Sequence, residues 1–179
     1  GLFMNDVHLN NDAVSIAQAF TQSGYNTAYI GKWHVNGYGR SAFIPRKYRQ
    51  GFDYWKVLEC THEYNDSAYY GDTDKKLKWE GYDAIAQTRD AIKYIENYQD
   101  QKPFFMVLSW GPPHAPYQTA PEKYRKMFSA EDVILRPNVP LENQGQAKND
   151  LAGYYAHIAA LDDCLKTLLD CMDKQGIRE

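Results

Sequence analysis

Apolar residues at Ala13, Ile16, Ala17 and Phe20 fall on one face of a 3.6-residue repeat, which predicts a helix over residues 12–23. Gly24 supplies its stop. The run "NTAYIG" that follows is β-prone, so the segment reads helix, tight turn, strand. The same order returns later. Ile85, Thr88, Ile92, Ile95 and Tyr98 mark a second helical face, Lys102-Pro103 breaks it, and "FFMVLSW" is a near-continuous apolar run. Strands of that kind are buried on both faces of a parallel sheet. A third stripe, Leu151, Tyr154, Ile158, Leu161, Leu165, Leu168 and Met172, predicts a long helix ended by Gly176, and "PEKYRKMF" predicts a short one opened by proline.

Between these units the periodicity lapses. Residues 35–81 are rich in Gly, Tyr and charge and read as loops with a short strand or two; irregular stretches of this length inside a domain usually carry function. "GPPHAPY" is a loop, because three prolines in five residues forbid a ladder, and residues 134–145 are another. There is no repeat and no low-complexity linker. The fold class is α/β, a mostly parallel sheet flanked by helices. Two or three parallel strands with three substantial helices leave sheet edges uncovered, so the pattern looks truncated at both ends. An exposed apolar edge would favour self-association of such a piece.

Composition narrows the functions. With 179 residues, 44% of them apolar, the chain is long enough for one domain with a sizeable core. A formal charge of -3 provides no global basic field for nucleic acid or an anionic membrane, so binding has to come from a local site. No apolar run is long enough to span a bilayer, and the first residues lack a basic region followed by an apolar one. Fifteen Tyr and four Trp suit sugar stacking but equally suit a core rich in amphipathic rings. Cys164 and Cys171 lie seven residues apart on the predicted helix, roughly 10 Å along its axis, too far for a bridge. With Cys60 they read as buried thiols.

In open α/β sheets ligands sit beyond the carboxyl ends of the strands. Gly31-Lys32-Trp33-His34 follows one predicted strand and Gly111-Pro112-Pro113-His114 the other, so both histidines are expected at one edge. A phosphate-binding P-loop is excluded: six residues separate Gly24 from Gly31 instead of four, and Trp33 stands where Ser or Thr would hold magnesium.

The stretch "GYNTAYIGKWH", residues 24–34, resembles the second signature of the formylglycine-dependent sulfatases of the alkaline-phosphatase-like superfamily. "GFDYW", "HEYNDSAYY", "PFFMVLSWGPPHAPY", "PEKY" and "LAGYYAHIAALDDCLKTLLD" resemble later blocks of that family in the same order, covering nearly the whole chain. The resemblance implies that residues 1–179 are the central part of a single sulfatase catalytic domain. It also implies catalytic roles for Lys32, His34 and His114. A sulfate ester needs cations at its nonbridging oxygens and a proton for the departing oxygen. Lys32 would grip sulfate, His34 would lie on the same face of an extended segment beside the nucleophile, and His114 would serve the leaving group. His62 and Tyr64, on the long loop, are substrate-binding candidates. His8 and His157 read as bystanders, and Arg46, Lys47 and Arg49 as a solvated basic run.

The family's nucleophile, a formylglycine made from Cys or Ser in a C/S-x-P-x-R motif, has no counterpart here, because neither form occurs in the sequence. The family also implies calcium, whose Asp, Asn or His ligands match no residue of this chain, so no metal-ligating residue is assigned. The implied partner is a small-molecule or saccharide sulfate ester, without nucleic acid or membrane, and without turnover by these 179 residues alone. The compartment stays unassigned, a periplasmic, secreted or lysosomal type being compatible with the resemblance. Three alternatives stay open: a phosphate or phosphonate monoester hydrolase of the same superfamily, a non-catalytic carbohydrate-binding module, and a zinc site at His34, His62 and His114.

Overall fold

The computed structural model describes residue 4 and residues 6–178. Its elements are α1 (Ile16–Gln22), β1 (Asn26–Lys32), β2 (Tyr54–Leu58), β3 (Ala68–Tyr70), β4 (Lys76–Lys78), α2 (Asp83–Glu96), β5 (Phe104–Ser109), α3 (Glu122–Arg125) and α4 (Gln144–Gln175), with single 3₁₀ turns between some of them. Among the described residues no helix is long and apolar enough to cross a membrane. Helix α1 begins later than the apolar spacing predicts because Ser15 caps it: its hydroxyl accepts from Gln18 N–H, while the Gln18 side chain accepts from Ser15 N–H. Helix α4 begins earlier than its stripe, and Gly176 closes it in the left-handed conformation expected there.

The five strands form one sheet in the order β4-β3-β2-β1-β5. Strand β1 is central and pairs in parallel with β2 (Ala28 opposite Tyr54, Lys32 opposite Leu58) and with β5 (Asn26 opposite Phe104, Gly31 opposite Ser109). The β3–β4 hairpin extends the sheet antiparallel from β2, so the sheet is mixed, and residues 35–81 hold three short strands where one or two were expected. Alternate residues divide two cores. Tyr29, Trp55 and Val57, with Phe105 and Val107, pack on the side of Ala17 from α1; Ile30, with Met106 and Leu108, packs against Ala86 and Ala91 of α2. A third cluster joins α2 to α4 through Ala84, Ala156, Ala160 and Cys164.

Two expectations change. The apolar β5 is an edge strand with all six residues only half-buried, because among the described residues it pairs with β1 alone. Arg49, expected in solvent with its basic neighbours, is 1% exposed. Its guanidinium donates to Ile44 O (3.2 Å), Gly71 O (3.1 Å) and Asp72 Oδ1 (2.7 Å) and lies 5.2 Å from the Trp55 ring, pinning residues 44–52 to the end of β3. Five donors in a fixed fork let a buried Arg satisfy itself where Lys would not. All three cysteines are buried and free, as expected of thiols without a disulfide framework.

Where β1 and β5 end, the backbones approach too closely for a side chain. A Cβ on Gly31, whose φ is +114°, would stand 2.0 Å from Ser109 O. Gly31→Ala is therefore expected to cost about 3 kcal/mol or more through strain and clash, read as a lowered urea midpoint; an unchanged midpoint would contradict the close approach. Under that crossing, Asp83 is 2% exposed and its Oδ1 has no hydrogen-bond partner among the described residues. Burial raises its pKa from 3.8 to about 7. A carboxyl whose folded pKa is raised favours folding fully only below its unfolded pKa, and that contribution is lost as pH climbs through the folded value. Asp83→Asn is thus expected to stabilise by up to about 4 kcal/mol at pH 8, with the gain fading as pH falls from 7 towards 4; a gain independent of pH in denaturation curves would contradict the buried carboxylate.

Candidate functional site

Parallel pairing of β1 with β2 and β5 delivers three carboxyl ends to one edge of the sheet, and the loops leaving them carry the chemistry. Beyond β1 the pairing continues briefly: Trp33 N–H donates to Leu58 O (3.1 Å) and His34 N–H to Glu59 O (2.8 Å). Trp33 turns inward against Tyr29 and Trp55, ring centroids 4.9 and 5.1 Å apart. Lys32 and His34, on either side of it, stay half-buried.

His34 is not extended backbone. Its φ is 58°, a conformation uncommon for a residue with a side chain. The buried Glu59 holds the turn that follows, accepting through Oε1 from Asn36 N–H (2.8 Å) and Gly37 N–H (3.0 Å). Strain kept in place by such over-determination is characteristic of functional sites. His34 Nε2 makes no hydrogen bond among the described residues; Asp6 Oδ1 stands 3.8 Å away.

From the second loop, His62 lies flat on His114 from the third, centroids 4.7 Å apart and planes 13° from parallel. The pKa of His62 is lowered, first by burial and then by the positive fields of His114, Lys32, Arg40 and His34. Lys32, His34 and His114 thus all lie near enough to His62 for their charge to act on it, in a chain of net negative charge. Because Ala115 O can only accept, His114 Nδ1 donates its proton there at 2.9 Å, which leaves Nε2 outward.

Tyr64 belongs to the same corner but lies inside it, 1% exposed. Its hydroxyl donates to Ala115 O at 3.1 Å, and its ring fills the space above Gly111, where an added Cβ would meet it at 2.7 Å. His8 bonds Asn36 O and Asn11 away from the cluster, and His157 is wholly buried. A cleft of about 440 Å³ adjoins His62, bordered by Arg40, Thr61, Glu63 and Lys76. Sequence periodicity gave no signal for Arg40 or Lys76, which lie in the aperiodic stretch and reach the cleft from the loop after β1 and from β4 respectively. Among the described residues no group of three or more His, Cys, Asp or Glu is placed to hold a metal ion, so calcium finds no fit in these residues.

The sequence profile described as Sulfatase matches residues 2–179. The ulvan-active sulfatase of Formosa agariphila is 44% identical over 181 residues, covering 100% of this chain and 35% of that protein. An N-acetylglucosamine-6-O-sulfatase of Bacteroides thetaiotaomicron is 34% identical over 126 residues, 68% of this chain and 20% of its own length. A structure from the study of glycosaminoglycan metabolism by B. thetaiotaomicron superposes with a TM-score of 0.86 at 23% identity, covering 98% of this chain and 42% of that one, a likeness of fold. The chain thus spans about a third or less of the length of these curated relatives. With the family profile matched along almost its entire length, this chain belongs to the sulfatase family.

Proposed function

We propose that the complete protein hydrolyses sulfate esters carried on saccharides, and that these 179 residues supply sulfate recognition and leaving-group protonation. The observation that carries this is the crowding of Lys32, His34, His62 and His114 at the carboxyl ends of parallel strands in a chain of sulfatase sequence. Four basic groups held together repel one another, and a tetrahedral anion relieves that repulsion. The relatives named for sulfated saccharides support a sugar as the group carrying the sulfate.

In this scheme Lys32 places a compact positive charge at the nonbridging oxygens. His114, tethered through Nδ1–H, presents Nε2 to the bridging oxygen; in its protonated form it donates there as the S–O bond breaks and charge moves onto oxygen. His34 Nε2, buried and without a hydrogen bond among the described residues, is the ring atom left to serve the sulfur side of the reaction. His62, exposed and with its pKa lowered, offers in its neutral form one donor and one acceptor to sugar hydroxyls. The adjoining cleft receives the rest of the saccharide, with Arg40 and Lys76 beside it. The nucleophile lies outside these residues, since no C/S-x-P-x-R motif occurs in them. No step is assigned to a metal.

In the complete enzyme, His114→Ala is expected to lower kcat on a sugar sulfate by about 100- to 10,000-fold and much less on an aryl sulfate whose phenolate leaves unaided. Equal losses on both substrates would contradict leaving-group protonation. Lys32→Ala is expected to lower kcat/KM on both by about 100- to 1,000-fold; a matched phosphate ester turned over faster than the sulfate by the wild type would replace the proposed reaction with phosphate ester hydrolysis. The isolated 179-residue chain, given an aryl sulfate and calcium, should release no product above buffer.

A further inference from the structure

The loop that carries His114 has little backbone bonding of its own. Pro112, Pro113 and Pro116 have no N–H to give, and among the described residues the one backbone hydrogen bond formed between residues 111 and 116 is His114 N–H to Gly111 O, long at 3.4 Å. Side chains, two of them local and two from distant segments, act instead on two successive carbonyls. Ala115 O accepts from Tyr64 and from His114 itself. Pro116 O accepts from Thr119 Oγ1 at 2.8 Å and faces His157 Nε2 at 3.3 Å.

The chemistry of these partners fixes the tautomer of His157. Pro116 O can only accept, and the Thr119 hydroxyl, 3.4 Å from Nε2, has its proton committed to Pro116 O, so Nε2 carries the imidazole hydrogen. Nδ1 is then an acceptor and takes the hydroxyl proton of Tyr82 at 2.6 Å. Burial lowers the pKa of His157 and raises that of Tyr82, which keeps the imidazole neutral and the phenol protonated, as this chain of donors requires. Every member is anchored on a different element: His157 on α4, Tyr82 at the N-cap of α2, and Tyr64 on the loop after β2, its ring 5.8 Å from that of His157. His157 is fully buried and Tyr82 is 5% exposed.

We propose that His157, oriented by Tyr82, is a positioning residue that holds the Pro116 carbonyl and through it the His114 imidazole at the leaving group. His157, read as a bystander from the sequence, thereby links the rigid α2–α4 pair to the reacting loop. The proposal rests on the leaving-group role of His114, and it deepens that role without adding a second site.

The test uses two substitutions at His157 in the complete enzyme. His157→Gln keeps a donor near Nε2, whereas His157→Leu keeps the bulk and removes both polar atoms. His157→Leu is expected to lower kcat on a sugar sulfate by about 10- to 100-fold with KM within about threefold, as a small misplacement of a catalytic group does. The loss should be several-fold smaller on an activated aryl sulfate, should vanish in a His114→Ala background, and should be largely restored by His157→Gln. Losses equal on both substrates, or additive with His114→Ala, would overturn the proposal and leave His157 a packing residue. If His157→Leu does not fold by circular dichroism, Tyr82→Phe, which removes only the hydroxyl, is expected to show the same leaving-group dependence at smaller size; its absence is equally fatal. A readout independent of turnover separates this from the reaction assigned above. The His114 ring resonances should move in His157→Leu and stay near their wild-type positions in His157→Gln. That result in a protein inactive on every sulfate ester would uphold the brace and discard the reaction, and unmoved His114 resonances in His157→Leu would discard the brace.

Discussion

Strand β1 is hydrogen-bonded on both sides to strands running the same way, and everything at the site follows from that pairing. Parallel strands end together, so the loops after β1, β2 and β5 leave from one edge although their sequences lie up to eighty residues apart. The cost is a tight junction where Gly31 passes Ser109 with no room for a side chain. The gain is that Lys32 at the end of β1 and His62 and His114 on the loops after β2 and β5 start from one edge of the sheet.

Bringing basic groups together is unfavourable without an anion between them. The structure offsets this by lowering the pKa of His62, by stacking it on His114, and by leaving both rings at the surface of a chain whose net charge is negative. In the proposed reaction such an arrangement would be pre-organised, with donors in place before charge accumulates. The surrounding supports have the same character. Glu59 fixes the turn after His34 by accepting two backbone N–H groups, and Tyr64 and His157 fix the proline loop by donating to two carbonyls.

Local pattern made part of this legible. The helical faces of α1, α2 and α4 and the strand-like runs of β1 and β5 are short-range signals, and "GKWH" with "GPPH" marked the two strand ends that carry Lys32, His34 and His114. His62 was reachable because its loop had to lie near those ends. What stayed hidden depends on partners far away in the chain. Nothing near Arg49 announces that Gly71, Asp72 and Trp55 surround it, so its basic neighbours gave the wrong impression. An apolar run cannot say whether it is central or at an edge, and β5 is at an edge. His157 on an apolar helical stripe looks like packing until Tyr82 and Pro116 are seen on its two nitrogens.

The central claim is that one anion pocket gathers residues from three loops, and the five histidines make it directly measurable. Titrating the protein with inorganic sulfate while following all five imidazole signals by nuclear magnetic resonance should shift His34, His62 and His114 together, with one saturation curve, and leave His8 and His157 in place. Three separate curves, or a shift spread evenly over all five, would show that no such common pocket exists.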